Sequence, residues 1–161
     1  MKIIQADSAH LELVVPLFDR YRQFYKQPSN TAAARRFLGE RLSQGQSVIF
    51  LALESDHAAI GFTQLYPSFS STSMKRLWIL NDLYVIPAQR KNGVARALME
   101  RAHQLAFETH AEGLTLETAT DNFAAQALYE SLGYKRDEAF YRYNLAMANP
   151  SVAKPVIKRR G

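Results

Sequence analysis

The chain of 161 residues contains no cysteine, which excludes disulfides, a thiolate nucleophile and any sulfur-ligated metal. Histidine is sparse. His10, His57, His103 and His110 are never paired at a ligand spacing, and the last two lie seven apart on one predicted helix, so no metal is expected. No apolar run approaches the roughly 18 residues that cross a bilayer, and no membrane association is expected. The opening MKIIQADSAHLE turns polar too early for a secretory leader, which points to the cytoplasm. Internal repeats and low-complexity stretches are lacking too.

What is present suits one domain, because a hydrophobic share of 47% is enough for a core. The net charge of +5 is unevenly spread. Lys154, Lys158, Arg159 and Arg160 close the chain with no acid after Asn144, leaving the preceding body at +1. A near-neutral body with a basic end is a poor nucleic-acid platform, so nucleic acid is not an expected partner. The expected organisation is a single domain over residues 1–146 and a basic tail over 147–161.

Periodicity orders the elements. Lys2–Ala6 reads as a strand, and Asp7 and Ser8 as helix caps. Leu11, Val14, Val15, Leu17, Phe18, Tyr21 and Tyr25 recur at helical spacing. A second helix runs from Thr31 to about Ser43. Ser47–Glu54 and Ala58–Tyr66 flank the polar turn Ser55-Asp56-His57 as a hairpin, and Met74–Ile86 is a third strand. Gly93 to about His110 reads as a helix, Leu114–Thr118 as a strand, and Asn122–Leu132 as a helix stopped by Gly133. Tyr134–Arg136 and Ala139–Ala146 are further strand material. The order β α α β β β α β α β β predicts a mixed α/β sheet of about seven strands with four helices. A parallel crossover falls near residues 80–118.

Chemistry concentrates in LYVIPAQRKNGVARA, residues 83–97. A strand runs into Pro87, a polar turn follows, and Gly93 opens an amphipathic helix. Main-chain N–H groups from Arg90, Lys91, Asn92, Gly93, Val94 and Ala95 would converge there, with Arg96 adding charge. The helix dipole favours an anion, and a diphosphate is the natural guest. An ordinary helix start with solvated charges is the competing reading.

Here the sequence resembles the GNAT superfamily of N-acetyltransferases. The family's pyrophosphate loop, R/Q-x-x-G-x-G/A, is matched by Arg90-Lys91-Asn92-Gly93-Val94-Ala95, preceded by Val85-Ile86-Pro87. Its second signature, N-x-x-A-x-x-L-Y-x-x-x-G-Y/F, is matched from Asn122 through Ala125 and Tyr129 to Tyr134. The loop and strand pattern is most similar to the polyamine/histone-type bacterial branch. The resemblance spans Lys2 to about Ala146 and implies a splayed sheet, with acetyl-CoA as the acetyl donor. Main-chain groups near Leu83, Tyr84 and Val85 would pair with the pantetheine arm and stabilise negative charge on the acetyl carbonyl. It further implies direct attack by a primary amine, such as a polyamine or a lysine-like molecule, with Tyr129 donating a proton to the departing thiolate. A core aromatic is the plainer reading of Tyr129.

The chain departs from the family at the base. Related members often carry Glu-Asp before the strand's L-x-V end, whereas Asn81-Asp82 stands here. Strict alternation puts Asn81 on the face of Leu83 and Val85, and Asp82 with Tyr84. A water-relayed deprotonation is expected, with Asp82 attracting the cation; a purely structural Asp82 is the alternative. Phe24, Tyr25, Tyr66 and Phe69 are candidate walls for the amine. Two other functions share the pattern: acetylation of a protein lysine or N-terminus, and a catalytically silent acyl-CoA-binding module. The tail Asn149–Gly161 reads by composition as a disordered end. Packed instead on a second copy it would make a homodimer, which is the assembly expected.

Overall fold

A computed structural model of the chain describes residues 1–55 and 57–147. Two compact units make up the protein, Met1–Phe123 and a second beginning at Ala124. The expected basic tail lies almost wholly outside the described residues.

In the first unit, strand β1 (Lys2–Gln5) leads into a short 3-10 turn capped by Asp7, whose carboxylate accepts from Ala9 N at 2.8 Å. Helix α1 (Leu11–Phe24) follows and buries Val14, Val15, Leu17 and Phe18, the stripe its periodicity predicts. Helix α2 (Thr31–Ser43) starts at Asn30, whose side chain accepts from Ala33 N at 2.9 Å. Strands β2 (Val48–Leu53), β3 (Ala59–Ser70) and β4 (Lys75–Val85) pair antiparallel in succession, and β1 joins the free edge of β2. Helix α3 (Val94–Glu108) then crosses to β5 (Gly113–Thr115), which pairs parallel to β4. The sheet order is β1-β2-β3-β4-β5.

Pleating sorts the core into two layers. Ile49, Leu51, Leu53, Phe62 and Tyr84 pack with Val14, Phe18, Ala34 and Leu38 of α1 and α2. Phe50 and Gly61 face the other way, where Arg101 and Val94 of α3 meet them. Each fully buried Leu, Ile or Phe contributes roughly 1.5–3 kcal/mol.

In the second unit, helix α4 (Phe123–Ser131, its first residue assigned to the first unit) is followed by Gly133, whose φ of +89° only glycine adopts readily.

The structure corrects the strand count. Among the described residues the sheet has five strands rather than about seven, because residues 134–147 carry no β-ladder. Their aromatics favour extended backbone, but a strand exists only where a neighbour completes its hydrogen bonds; Phe140, Tyr141 and Tyr143 are instead exposed. The strand expected at Leu114–Thr118 is shorter and earlier, Gly113–Thr115.

Candidate active site

Strand β4 carries the centre of the site. Its ladder with β5 covers only Leu77 to Ile79, yet β4 continues to Val85. Among the described residues no strand pairs with Leu80–Val85 on that side. Which groups line this edge follows from the other ladder. Ile86 N donates to Ile60 O at 3.0 Å, so by antiparallel alternation Tyr84 also points its main chain at β3, while Leu83 and Val85 point theirs at the open edge. The Arg90 guanidinium agrees, donating through Nε to Val85 O at 3.1 Å.

Beyond β4 the chain forms a 3-10 turn, Pro87–Gln89, and then the glycine-bearing loop. Lys91 and Gly93 adopt φ of +66° and +80°, a near-alternation of hand that gathers successive N–H groups into a concavity suited to an anion. Gly93 is the N-cap of α3 and supplies no side-chain cap. Its carbonyl takes Ala97 N at 3.0 Å, so the N–H groups of Val94 and Ala95 have no acceptor within the helix. Asn92 is tied back, donating to Gln89 Oε1 at 3.2 Å, and Gln89 in turn donates to Glu54 Oε1 at 2.6 Å. The loop is thus anchored to the end of β2. Val94 is buried against Gly61, where a Cβ would lie 3.3 Å from Val94 Cγ1 and 2.8 Å from Tyr84 O. Glycine at 61 lets the start of α3 sit close on the sheet.

The acid lies on the opposite face, under α1. Gln64 pairs with Asp82 and Leu65 with Leu80, so Asn81 is the extra residue of a β-bulge. This corrects the alternation expected at Asn81, while Asp82 keeps the face of Tyr84 as expected. The bulge brings Asn81 and Asp82 side by side, with Asn81 Nδ2 donating to Asp82 Oδ1 at 3.0 Å. Asn81 is exposed, whereas Asp82 is only 3% exposed. Burial raises the Asp82 carboxyl above the usual carboxylate range, against hydrogen bonds from Gln64, Tyr21 and Asn81 that favour the charged form. Gln64 Nε2 donates to Asp82 Oδ2 at 2.6 Å and to Tyr66 Oη at 3.0 Å. The Tyr66 phenol is pushed up to about 12 by burial and by the Asp82 charge.

Tyr21 Oη reaches Asn81 O at 3.4 Å, and its ring meets those of Phe62 and Tyr25 edge-on at 6.0 and 5.1 Å. The Arg90 guanidinium lies 5.9 Å from the rings of both Phe24 and Tyr84. Phe24, Tyr25, Tyr66, Tyr84, Asn81, Asp82 and Arg90 are therefore linked through one neighbourhood. Phe69 is 71% exposed, on the pleat opposite Tyr66 and stacked by Arg76 at 5.2 Å. Asn122 precedes α4 and Ala125 lies within it. Tyr129, also in α4, is tilted against Tyr134 with ring centroids 6.0 Å apart, and burial, with Tyr129 alongside, pushes the Tyr134 phenol up to about 12.

Sequence reading missed Gly61 and Gln64. Gln64 left a signal: a polar residue between inward-facing Phe62 and Tyr66 breaks the apolar side of a strand. Among the described residues no group of three or more His, Asp or Glu could hold a metal, and no helix is long and apolar enough to cross a membrane.

The profile of the Acetyltransferase (GNAT) family matches residues 14–134. The chain belongs to this family. It is an acetyltransferase, and its relatives carry similar names. The "Uncharacterized N-acetyltransferase YhfO" of Bacillus subtilis (strain 168) is 46% identical over 145 residues, covering 90% of this chain and 97% of that protein. A "Probable acetyltransferase" of Haemophilus influenzae is 30% identical, covering 92% and 99%. Among solved structures, a probable acetyltransferase superposes with a TM-score of 0.88 at 47% identity, over 92% of this chain and 99% of the other. GNAT enzymes use acetyl-CoA, a molecule with an amide-bearing arm and a diphosphate.

Proposed function

We propose that this acetyltransferase moves the acetyl group of acetyl-CoA onto a primary amine by direct attack. The observation that carries the reading is the run of unpaired β4 edge into the Lys91–Gly93 concavity and the start of α3. Leu83 and Val85 would pair with the pantetheine arm, and the N–H groups from Arg90 to Ala95 would take the diphosphate. Acetyl-CoA supplies the activated thioester; the protein has to orient it and to manage two protons.

Asp82 attracts the ammonium and accepts its proton through water, which Asn81, with its exposed amide, orients. Tyr129 gives a proton to the leaving thiolate, the role its motif implies. A buried carboxylate beside the rings of Tyr21, Tyr66 and Tyr84 favours a cationic acceptor, a polyamine or lysine-like amine. The polyamine/histone-type branch, a cytoplasmic location and a homodimer belong to the same proposal; a monomeric mass by light scattering removes the last.

The test is release of free CoA thiol over a panel of spermidine, lysine and a basic peptide, run beside Tyr129→Phe. Turnover of a small amine, with kcat at least about tenfold lower in Tyr129→Phe and acetyl-CoA affinity unchanged, is expected. Turnover of the peptide alone would favour a protein acceptor. Thermal stabilisation by acetyl-CoA without thiol release from any amine would favour a silent binding module.

A further inference from the structure

We infer that Gln64 is a positioning residue of the transfer reaction, holding Asp82 ionised and aimed through the hydrogen bond from Nε2 to Oδ2. The inference rests on the proposed role of Asp82 as the group that receives the amine's proton.

Three observations carry it. Gln64 is fully buried, and its 2.6 Å contact to Asp82 is its shortest hydrogen bond. A donor to an ionised carboxylate binds roughly twice as strongly as one between neutral groups, so this contact discriminates between the two states of Asp82. Second, the orientation of the amide has a cost. Its bonds to Asp82 and Tyr66 both use Nε2, while Gln64 Oε1 is buried with no partner among the described residues. Turning the amide over would let the Tyr66 hydroxyl donate to Oε1, but would set Oε1 against a carboxylate oxygen. That arrangement is tolerable only with Asp82 protonated, so the amide lies as an ionised Asp82 requires. Third, Gln64 leads the donors that favour the charged form of Asp82. Tyr21 from α1 and Asn81 from β4 act in the same direction, but less strongly, and Asn81 donates at 3.0 Å from an exposed position; Tyr66 from β3 accepts from the same Nε2, and Arg41 of α2 acts on Tyr66 and has its guanidinium paired to Glu40 at 3.0 Å.

Substitution Gln64→Met keeps the length and volume of the side chain and removes the donor. In the wild type the acidic limb of kcat/KM against pH should report Asp82, and Asp82→Asn should abolish that limb. Gln64→Met should move its midpoint up by about one pH unit, with the high-pH plateau within about threefold of wild type. Since misfolding would lower the plateau without moving the midpoint, the midpoint is the decisive readout. The same shift should appear in the free protein when the Asp82 carboxyl carbon is titrated by NMR. A limb that vanishes in Asp82→Asn but stays in place in Gln64→Met overturns the inference and leaves the base intact. If instead the limb survives Asp82→Asn, the base reading falls, and the inference with it as a statement about the reaction; the NMR midpoint then shows whether the clamp exists at all.

Discussion

At Asp82 two effects oppose each other. Removing a carboxylate from water disfavours its charge, and the bonds from Gln64, Tyr21 and Asn81 favour it; burial wins, and the group is held above its ordinary range. A carboxyl tuned upward is a better proton acceptor for an amine than one exposed to solvent. Gly61 shows a purely steric constraint. A methyl group there would stand 2.8 Å from the Tyr84 carbonyl and 3.3 Å from Val94, so either β4 or the first turn of α3 must shift. Gly61→Ala should lower stability by about 1–3 kcal/mol in urea unfolding and weaken CoA binding severalfold by calorimetry. Unchanged binding with lowered stability would separate Gly61 from the cofactor loop.

At the scale of elements, α1 and α2 are joined by a buried clasp. Asp19 accepts from Ser29 Oγ and Asn30 N at 2.7 Å each and from Gln23 Nε2 at 2.9 Å. Desolvation, the largest effect on its carboxyl, pushes upward, but these bonds and the charge of Arg22 outweigh it and hold Asp19 below the usual range. Asp19→Ala leaves the Asn30 amide without its acceptor and should cost about 2–3 kcal/mol; Asp19→Asn should recover part of it. Because α1 carries Tyr21, Phe24 and Tyr25, the loss should also raise KM for the amine more than KM for acetyl-CoA. Equal effects on both would show that the clasp serves the fold alone.

For the whole molecule, Asp19 and Asp82 bend the pH dependence of stability in opposite directions. Asp19 is depressed when folded, so its contribution is present above the unfolded value of 3.8 and is lost as pH falls through the lower folded value. Asp82 is raised when folded, so its contribution is full below 3.8 and is lost as pH rises through the higher folded value. Asp82→Asn should therefore melt a few degrees higher than wild type at pH 7, with the difference shrinking as pH approaches 4. A constant difference in Tm across that range would mean that Asp82 is not titrating with the fold. Under the proposed role, Asp82 would lower stability at the pH where its charge is used.

Local periodicity and two ordered motifs determined the helices, the first four strands, the parallel crossover and the glycine-bearing loop before α3, because each depends on neighbours within a turn or a strand. The geometry of Arg90 to Ala95 could be read without coordinates, since a helix start and a glycine of positive φ are local events. Tertiary structure alone decided the rest. Whether residues 134–147 form strands depends on a ladder partner that no local pattern supplies. The bulge at Asn81 depends on how β3 and β4 are registered across the sheet: Asp82 pairs with Gln64 in the regular register of Leu83, Tyr84 and Val85, and the slip begins at Asn81. Burial of Asp82, the orphaned Gln64 oxygen and the close approach at Gly61 are all contacts between residues distant in sequence, whose energies exist only once the chain has closed on itself.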